Sequence, residues 1–243
     1  MKWEREIYAA TSPRDHNEAV LAKCEVRKQQ GLYEEALAEL SRIHTYALTA
    51  EELEQYYTQR ALCAYLAGRF EEALTTTEEA KFYLPEGNSD AHLTTLIEAL
   101  AAGELGDWGH SRTAALAYAS TLPEGETTIA QLEELYSAAP RLRNPQTAWW
   151  LSLLPGVGQF YAGELWSGLV SLVANGALGY FAVSEAIAGE WLSGWVIGCG
   201  GLSSTYFVGQ ERARILTERR NARVLREHND LLRQTLLQLR IEN

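Results

Sequence analysis

The residue types that carry most enzyme chemistry are scattered along this 243-residue sequence rather than grouped. His16, His44, His92, His110 and His228 include no pair at HExxH spacing, and none lies within four residues of a cysteine, so no metal-ligand signature arises. Cys24, Cys63 and Cys199 are too few and too far apart for a disulfide framework or a zinc site; each suits a small buried apolar position. Gly156-Val-Gly158 lacks the third glycine of a dinucleotide fingerprint and follows no strand, so it encodes a backbone turn. No Walker lysine, nucleophile elbow or carboxylate pair in an apolar setting is present. Glu34-Glu35 and Glu71-Glu72 recur at equivalent positions where a helix starts, and there carboxylates complement the helix dipole. The sequence thus predicts no catalytic residue, no metal and no cofactor, and directs attention to binding.

The elements that would position a binding site begin with three charge-free runs, 144–163, 165–184 and 191–210, interrupted only by Glu164, Glu185 and Glu190. At about 1.5 Å of rise per residue, each is long enough to cross a hydrocarbon layer of roughly 30 Å. A soluble core helix of that length would carry charges on its outer face every three or four residues. Gly194 and Gly198 form a small-xxx-small pair, with Gly201 three residues on, as closely packed membrane helices use. Trp191 and Trp195 at one end of the last run, and Tyr206 and Phe207 near the other, sit where an interfacial aromatic belt would. The runs are not equivalent. Pro155, Gly156 and Gly158 interrupt the first, which predicts a short helix, a break and a turn, with a re-entrant element as the alternative to a span. The second and third runs form a helical hairpin joined through 185–190. Asn175, an amide within the second run, should bond across helices, with Gln159 as a candidate partner.

The front of the chain repeats. Gly31-Leu-Tyr33-Glu-Glu-Ala36-Leu37 is echoed by Gly68-Arg-Phe70-Glu-Glu-Ala73-Leu74 and more faintly by Gly106-Asp-Trp108-Gly-His-Ser111, at spacings of 37 and 38 residues. Helical stretches over 19–29, 52–66 and 90–102 precede the glycines, others follow, and Pro85 and Pro123 close the second and third units. Glycine ends one helix, the aromatic packs at the start of the next, and the small residue lets the two cross closely. The pattern resembles the tetratricopeptide repeat, a helix-turn-helix unit of about 34 residues. The longer spacing leaves room for loops at 47–50 and 86–89, and a half-unit over 127–138 caps the stack.

The predicted fold is therefore all-α: an N-terminal tetratricopeptide-like helical repeat solenoid over 1–140, a small helical membrane domain over 141–210, and a C-terminal Arg-rich amphipathic helix over 211–243. Arg141 to Pro145 marks the boundary, with Pro145 stopping the preceding helix. In the tail, Leu225, Leu232, Leu236 and Leu239 fit either a short coiled coil or a helix packing back on the repeats.

The whole arrangement resembles bacterial tetratricopeptide membrane proteins with a Pro-Gly-x-Gly-Gln-x-Tyr-x-Gly motif, here Pro155, Gly156, Gly158, Gln159, Tyr161 and Gly163, followed by Asn175 and Asn221. The resemblance implies an architecture and no reaction. Such proteins often carry a cleavable export signal, and Met1-Lys-Trp-Glu-Arg-Glu is not one, because no apolar core follows it. Arginines resist translocation, so the tail is expected in the cytoplasm of a multi-pass inner-membrane protein. The repeats are expected there too, with the first run re-entrant; the alternative is the periplasm, if that run spans and an export signal is missing from this sequence.

Residues 1–140 hold 11 Lys and Arg against 24 Asp and Glu, which argues against nucleic acid as a partner and favours a basic or mixed-charge segment. The first helices of the repeats would present Glu25, Lys28, Gln55, Gln59, Tyr65 and Leu96 in a concave groove to a protein or peptide partner, while lipid surrounds the membrane domain. The leading expectation is a non-catalytic, membrane-anchored interaction scaffold. The alternative is a channel, transporter or membrane enzyme at the Pro155–Gly158 break. Spans without intramembrane charge offer no ion path unless copies assemble as a homo-oligomer.

Overall fold

The computed structural model describes residues 2–83, 91–122 and 125–241. Among them the chain is all-helical and contains no strand. It divides into two compact units: Met1–Ala139 together with His228–Asn243, and Pro140–Glu227.

The first unit opens with α1 (Lys2–Ala9), followed by the pairs α2 (Pro13–Gln29) and α3 (Tyr33–Leu40), α4 (Ala50–Leu66) and α5 (Phe70–Tyr83), and α6 (Ala91–Glu104) and α7 (Trp108–Ser120), with α8 (Gly125–Ser137) last. Their starts are encoded locally. Ser12 caps α2 by accepting from Asp15 N, with Pro13 in the first turn, and Thr49 and Glu52 form a reciprocal capping box on α4.

Each pair turns on one of the repeated glycines. Gly31, Gly68 and Gly106 have φ of 72°, 76° and 74°, a left-handed conformation that side chains resist. In each turn the next residue's N–H reaches back to close the helix: Leu32 to Arg27 O, Arg69 to Ala64 O and Asp107 to Ala102 O, at 2.9, 2.9 and 3.0 Å. The small residue five positions after the glycine, Ala36, Ala73 or Ser111, is fully buried. Ser111 is more than a tolerated variant. Its hydroxyl donates to Ala99 O at 2.7 Å and lies 2.7 Å from the Tyr136 hydroxyl, tying α6, α7 and α8 together.

The loop expected over 47–50 is taken up by a 3₁₀ turn (Thr45–Ala47) and the start of α4. The half-unit expected over 127–138 coincides with α8, whose Leu132 and Tyr136 enter the core. Pro85, the 86–89 loop, Asp90 and Pro123 lie outside the described residues. Asn17 fixes the loop after α3: its amide accepts from His44 N at 2.8 Å and donates to His44 O at 3.0 Å. At the amino end, hydrogen bonds from Lys23 and Arg42 hold the Glu4 carboxyl down at about 2.

The second unit contains α9 (Pro145–Leu151), α10 (Val157–Ala162), α11 (Leu165–Ala188), α12 (Trp191–Ser193), a π-helical turn (Gly194–Cys199), and the first part of α13 (Gly200–Ile241). The first charge-free run is broken as its Pro and Gly content requires: α9 and α10 rise only about 10 and 9 Å, far short of a bilayer. Pro145 does not stop the helix before it. α8 ends at Ser137, and Pro145 instead opens α9, where Asn144 caps by accepting from Gln146 N and Thr147 N.

The boundary expected at 210 falls inside one uninterrupted helix, because residues 211–241 contain no Gly or Pro to stop it. Its residues as far as Glu227 belong to the second unit and those from His228 to the first. Of the two expectations for the tail, packing back on the repeats is what forms: Leu232 and Leu236 are buried in the cluster of Leu96, Leu100, Ala115 and Leu132. The Leu239 side chain lies outside the described residues.

Among the described residues one helix, α11, is long and apolar enough to cross a membrane, and almost none of it is buried. The 191–210 run is helical too, but the π turn divides it.

Candidate functional site

The Pro-Gly-x-Gly-Gln-x-Tyr-x-Gly residues are brought together as the knot of the second unit. Gly156 has φ of 89°, and a Cβ there would meet Gly168 O at 2.5 Å, so α10 can press on α11 only with glycine. At Gly158 a Cβ would lie 1.9 Å from Ser152 Oγ, 2.3 Å from Ala148 O and 2.9 Å from Ala213 Cβ: α9, α10 and α13 meet at this point. Gly163, with φ of 91°, ends α10. The Tyr161 hydroxyl accepts from Asn144 N at 3.2 Å, and its ring lies 5.5 Å from the Arg143 guanidinium carbon. Asn221 clamps the Arg143 peptide from α13, accepting its N–H at 3.0 Å and donating to its carbonyl at 2.6 Å. Pro155 is half-buried in the turn before Gly156.

Gln159 and Asn175 do not pair with each other. Gln159 Nε2 donates to Gly209 O at 2.9 Å. Asn175 donates to Ser171 O at 2.7 Å and accepts from Thr205 Oγ1 at 2.9 Å. The reason is helix register. Thr205 faces Asn175, Gly209 lies against Ser171, Gly201 against Leu178 and Gly198 against Ala182, so α13 and the π turn run antiparallel to α11 and put Gln159 a full turn from Asn175. The Gly194 and Gly198 pair does what small residues allow: a Cβ on Gly198 would sit 2.5 Å from Ala182 Cβ.

This unit is polar within and apolar without. Asn175 and Gln159 are 5% and 1% exposed, while Trp166, Tyr180, Ile187 and Leu192 are 80%, 78%, 82% and 79% exposed.

The repeat residues expected to line a groove fall into two sets in the first unit. Lys28 joins the first set, donating to Gln59 Oε1 at 3.2 Å and pairing with Glu25 at 2.5 Å; Gln55 is exposed on the same helix as Gln59. Tyr65 and Leu96 belong to the second set, and the chain's own carboxy-terminal segment meets both. The Tyr65 hydroxyl accepts from Arg233 at 3.1 Å, Arg233 also pairs with Glu104 at 2.7 Å, and Leu96 packs with Leu232 and Leu236. Burial pushes the Tyr65 phenol up despite the Arg233 bond. Beside them an apolar cavity of about 440 Å³ is bounded by Leu62, Tyr65, Phe70, Leu93, Leu96 and Leu237.

Three pairings had no sequence signal. Cys24 and Cys63 are fully buried with their thiols in contact, and that hydrogen bond, followed by burial, pushes the Cys24 thiol up. Glu98, almost fully buried, pairs with Lys81 at 2.5 Å and meets His110 Nε2 at 2.6 Å, bridging α5, α6 and α7. His228 lies edge-on to Trp108 at 4.7 Å, and desolvation lowers its pKa. Among the described residues no three His, Cys, Asp or Glu side chains are placed to hold a metal ion.

Compared with known proteins, the chain matches no family model, no curated protein and no solved structure.

Proposed function

We propose that the protein is a non-catalytic, membrane-anchored interaction scaffold: a tetratricopeptide-like solenoid, held at a bilayer by a multi-pass helical module, that receives a partner protein or peptide in bacterial envelope or membrane-protein assembly. The observation that carries the reading is an apolar cavity of about 440 Å³ in the first unit, bounded by Leu62, Tyr65, Phe70, Leu93 and Leu96, together with the separate polar set of Glu25, Lys28, Gln55 and Gln59 on α2 and α4. The cavity suits an apolar anchor side chain, and the polar set suits the backbone and charges of a bound segment. The acidic surroundings favour a segment of basic or mixed charge.

Support for the anchor comes from the inverted burial of the second unit, since soluble monomers rarely expose contiguous apolar surface on this scale. Arg212, Arg214, Arg219, Arg220, Arg223 and Arg226 follow the last apolar run, which favours placing that end, and with it the repeats, in the cytoplasm. We assign the Pro155–Gly158 break a packing role, because each motif glycine sits where a side chain would collide or strain the backbone.

Photo-crosslinkers placed at Gln55, Gln59 or Leu66 in the full-length protein in native membranes test the scaffold. Discrete adducts from these sites and none from Glu34 or Glu71 are expected. Equal adduct patterns from both sets contradict the groove.

A further inference from the structure

A cleft of about 160 Å³ opens between α10, α11 and α13 in the second unit, lined by Gln159, Ser167, Ser171, Asn175, Thr205 and Arg212. A single water needs only roughly 10–15 Å³ of such space, so the cleft has room for a larger polar group. Asn175 and Thr205 satisfy each other at one end, as described. Of the others, Gln159 Oε1 and Ser167 Oγ lack partners, while Arg212 is exposed. Gln159 is 1% exposed and its Oε1 has no hydrogen-bond partner, although its Nε2 is spent on Gly209 O. Ser167 Oγ is also buried without a partner. Arg212 has no carboxylate within 4 Å among the described residues, and no acidic side chain lines the cleft. A buried acceptor left unpaired costs about 1–3 kcal/mol, so the site calls for a ligand with a donor for Gln159, and the exposed Arg212 offers that ligand a cationic contact.

The level of these groups narrows the chemistry. Arg212 follows the 191–210 run by two residues and Ser167 opens α11, which sets both where the apolar surface gives way to charge. Gly158, the neighbour of Gln159, packs on Ala213, and the Gln159 amide reaches Gly209 O, three residues before Arg212, so the two side chains lie within one helical turn of each other. Apolar Val170 and Val208, 62% and 63% exposed, form the adjoining rim and continue away from the charged end. An anion, a hydroxyl at the same depth and an acyl surface below them describe one molecule.

We propose that this cleft binds the headgroup of an anionic phospholipid bearing a free hydroxyl, of the phosphoglycerol type. The phosphate accepts from the Arg212 guanidinium and the Ser167 hydroxyl, the headgroup hydroxyl donates to Gln159 Oε1, and an acyl chain lies along Val170. A soluble phosphoglycerol ester shares the headgroup chemistry but leaves the apolar rim uncovered. The inference rests on the membrane reading above.

The test uses full-length protein in bilayer nanodiscs of phosphatidylcholine doped with phosphatidylglycerol or with phosphatidylmethanol, an anionic lipid lacking the hydroxyl, and reads the lipids retained after detergent transfer. Phosphatidylglycerol should be enriched over both other lipids. Arg212→Gln should cut that enrichment about tenfold, the scale of one charge-assisted contact. Ser167→Ala should reduce it less, and Arg214→Gln, whose guanidinium pairs with Glu211 at 2.6 Å, should leave it unchanged. Equal retention of phosphatidylglycerol and phosphatidylmethanol overturns the hydroxyl assignment, and equal loss in the Arg212 and Arg214 variants overturns the site. Glycerol 3-phosphate stabilising the protein as strongly as the lipid overturns the lipid as the source. A protein that reconstitutes but shows no lipid preference contradicts this inference alone, whereas one that stays monodisperse without detergent contradicts the membrane reading beneath it.

Discussion

The two units solve the packing problem in opposite senses. In the first, Leu37, Leu40, Ile97 and Leu132 fill the interior and acids such as Glu34, Glu35 and Glu71 face outward. In the second, amides and glycines occupy the interior, Gln159 on Gly209 and Asn175 on Thr205, while tryptophan, leucine and valine face outward. Both are helices closely packed through small residues, Ala36 and Ala73 in one and Gly158 and Gly198 in the other. What differs is the surface, polar on the first unit and apolar on the second, and on the reading proposed above the second faces lipid.

The largest break in this contrast is expected at Gly158. Gly158→Leu forces a side chain into space already held by Ser152, Ala148 and Ala213, and should cost about 3 kcal/mol or more, abolishing the cooperative thermal transition of the second unit in detergent. Next comes Leu232→Ala, which opens a cavity in the first unit and should lower its stability by about 2–5 kcal/mol in chemical unfolding. Asn175→Leu should cost the second unit only about 1 kcal/mol, since buried amide bonds in lipid are modest, and should leave partner crosslinking at Gln55 intact; lost crosslinking with an intact fold would count against that assignment.

A pH dependence sharpens the comparison from the first unit's side. Desolvation against Trp108 lowers the folded-state pKa of His228, so its neutral form is the folded one. The stability tied to it is complete above the unfolded pKa of about 6.5 and is lost as pH falls through the window below it. The protection of amides 228–238, taken relative to their intrinsic exchange rates at each pH, should fall between pH 7 and pH 5, and His228→Phe should flatten that change. The smallest effect belongs to Glu71→Gln on the outward face of α5, within about 0.5 kcal/mol of wild type in unfolding assays.

Local geometry was legible in the sequence because it is written in neighbouring residues. Gly31, Gly68 and Gly106 announced three turns of one kind, Pro155 and Gly156 announced the break, and Gly194 with Gly198 announced a close helix contact. Partner choice was not legible. Helical periodicity tells which face of α11 carries Asn175, yet whether it meets Gln159 or Thr205 depends on the axial register of helices thirty residues apart in sequence. The meeting of Cys24 with Cys63, and of Arg233 with Tyr65, likewise follows from how successive pairs stack. The division of α13 between two units left no local mark, since nothing in 211–241 breaks a helix. Gln159, singled out by its motif, gave no hint that one of its two polar atoms would be left unpaired.

The most direct measurement of the contrast is the solvent at each surface. Spin labels at Val173, Leu192 and Glu71 of the reconstituted protein can be probed with oxygen, which concentrates in hydrocarbon, and with a water-soluble nickel chelate. Val173 and Leu192 are expected to be relaxed by oxygen and shielded from the chelate, with Glu71 showing the reverse. Strong relaxation by the chelate at Val173 and Leu192 would mean that water covers the apolar face of the second unit, contradicting the account.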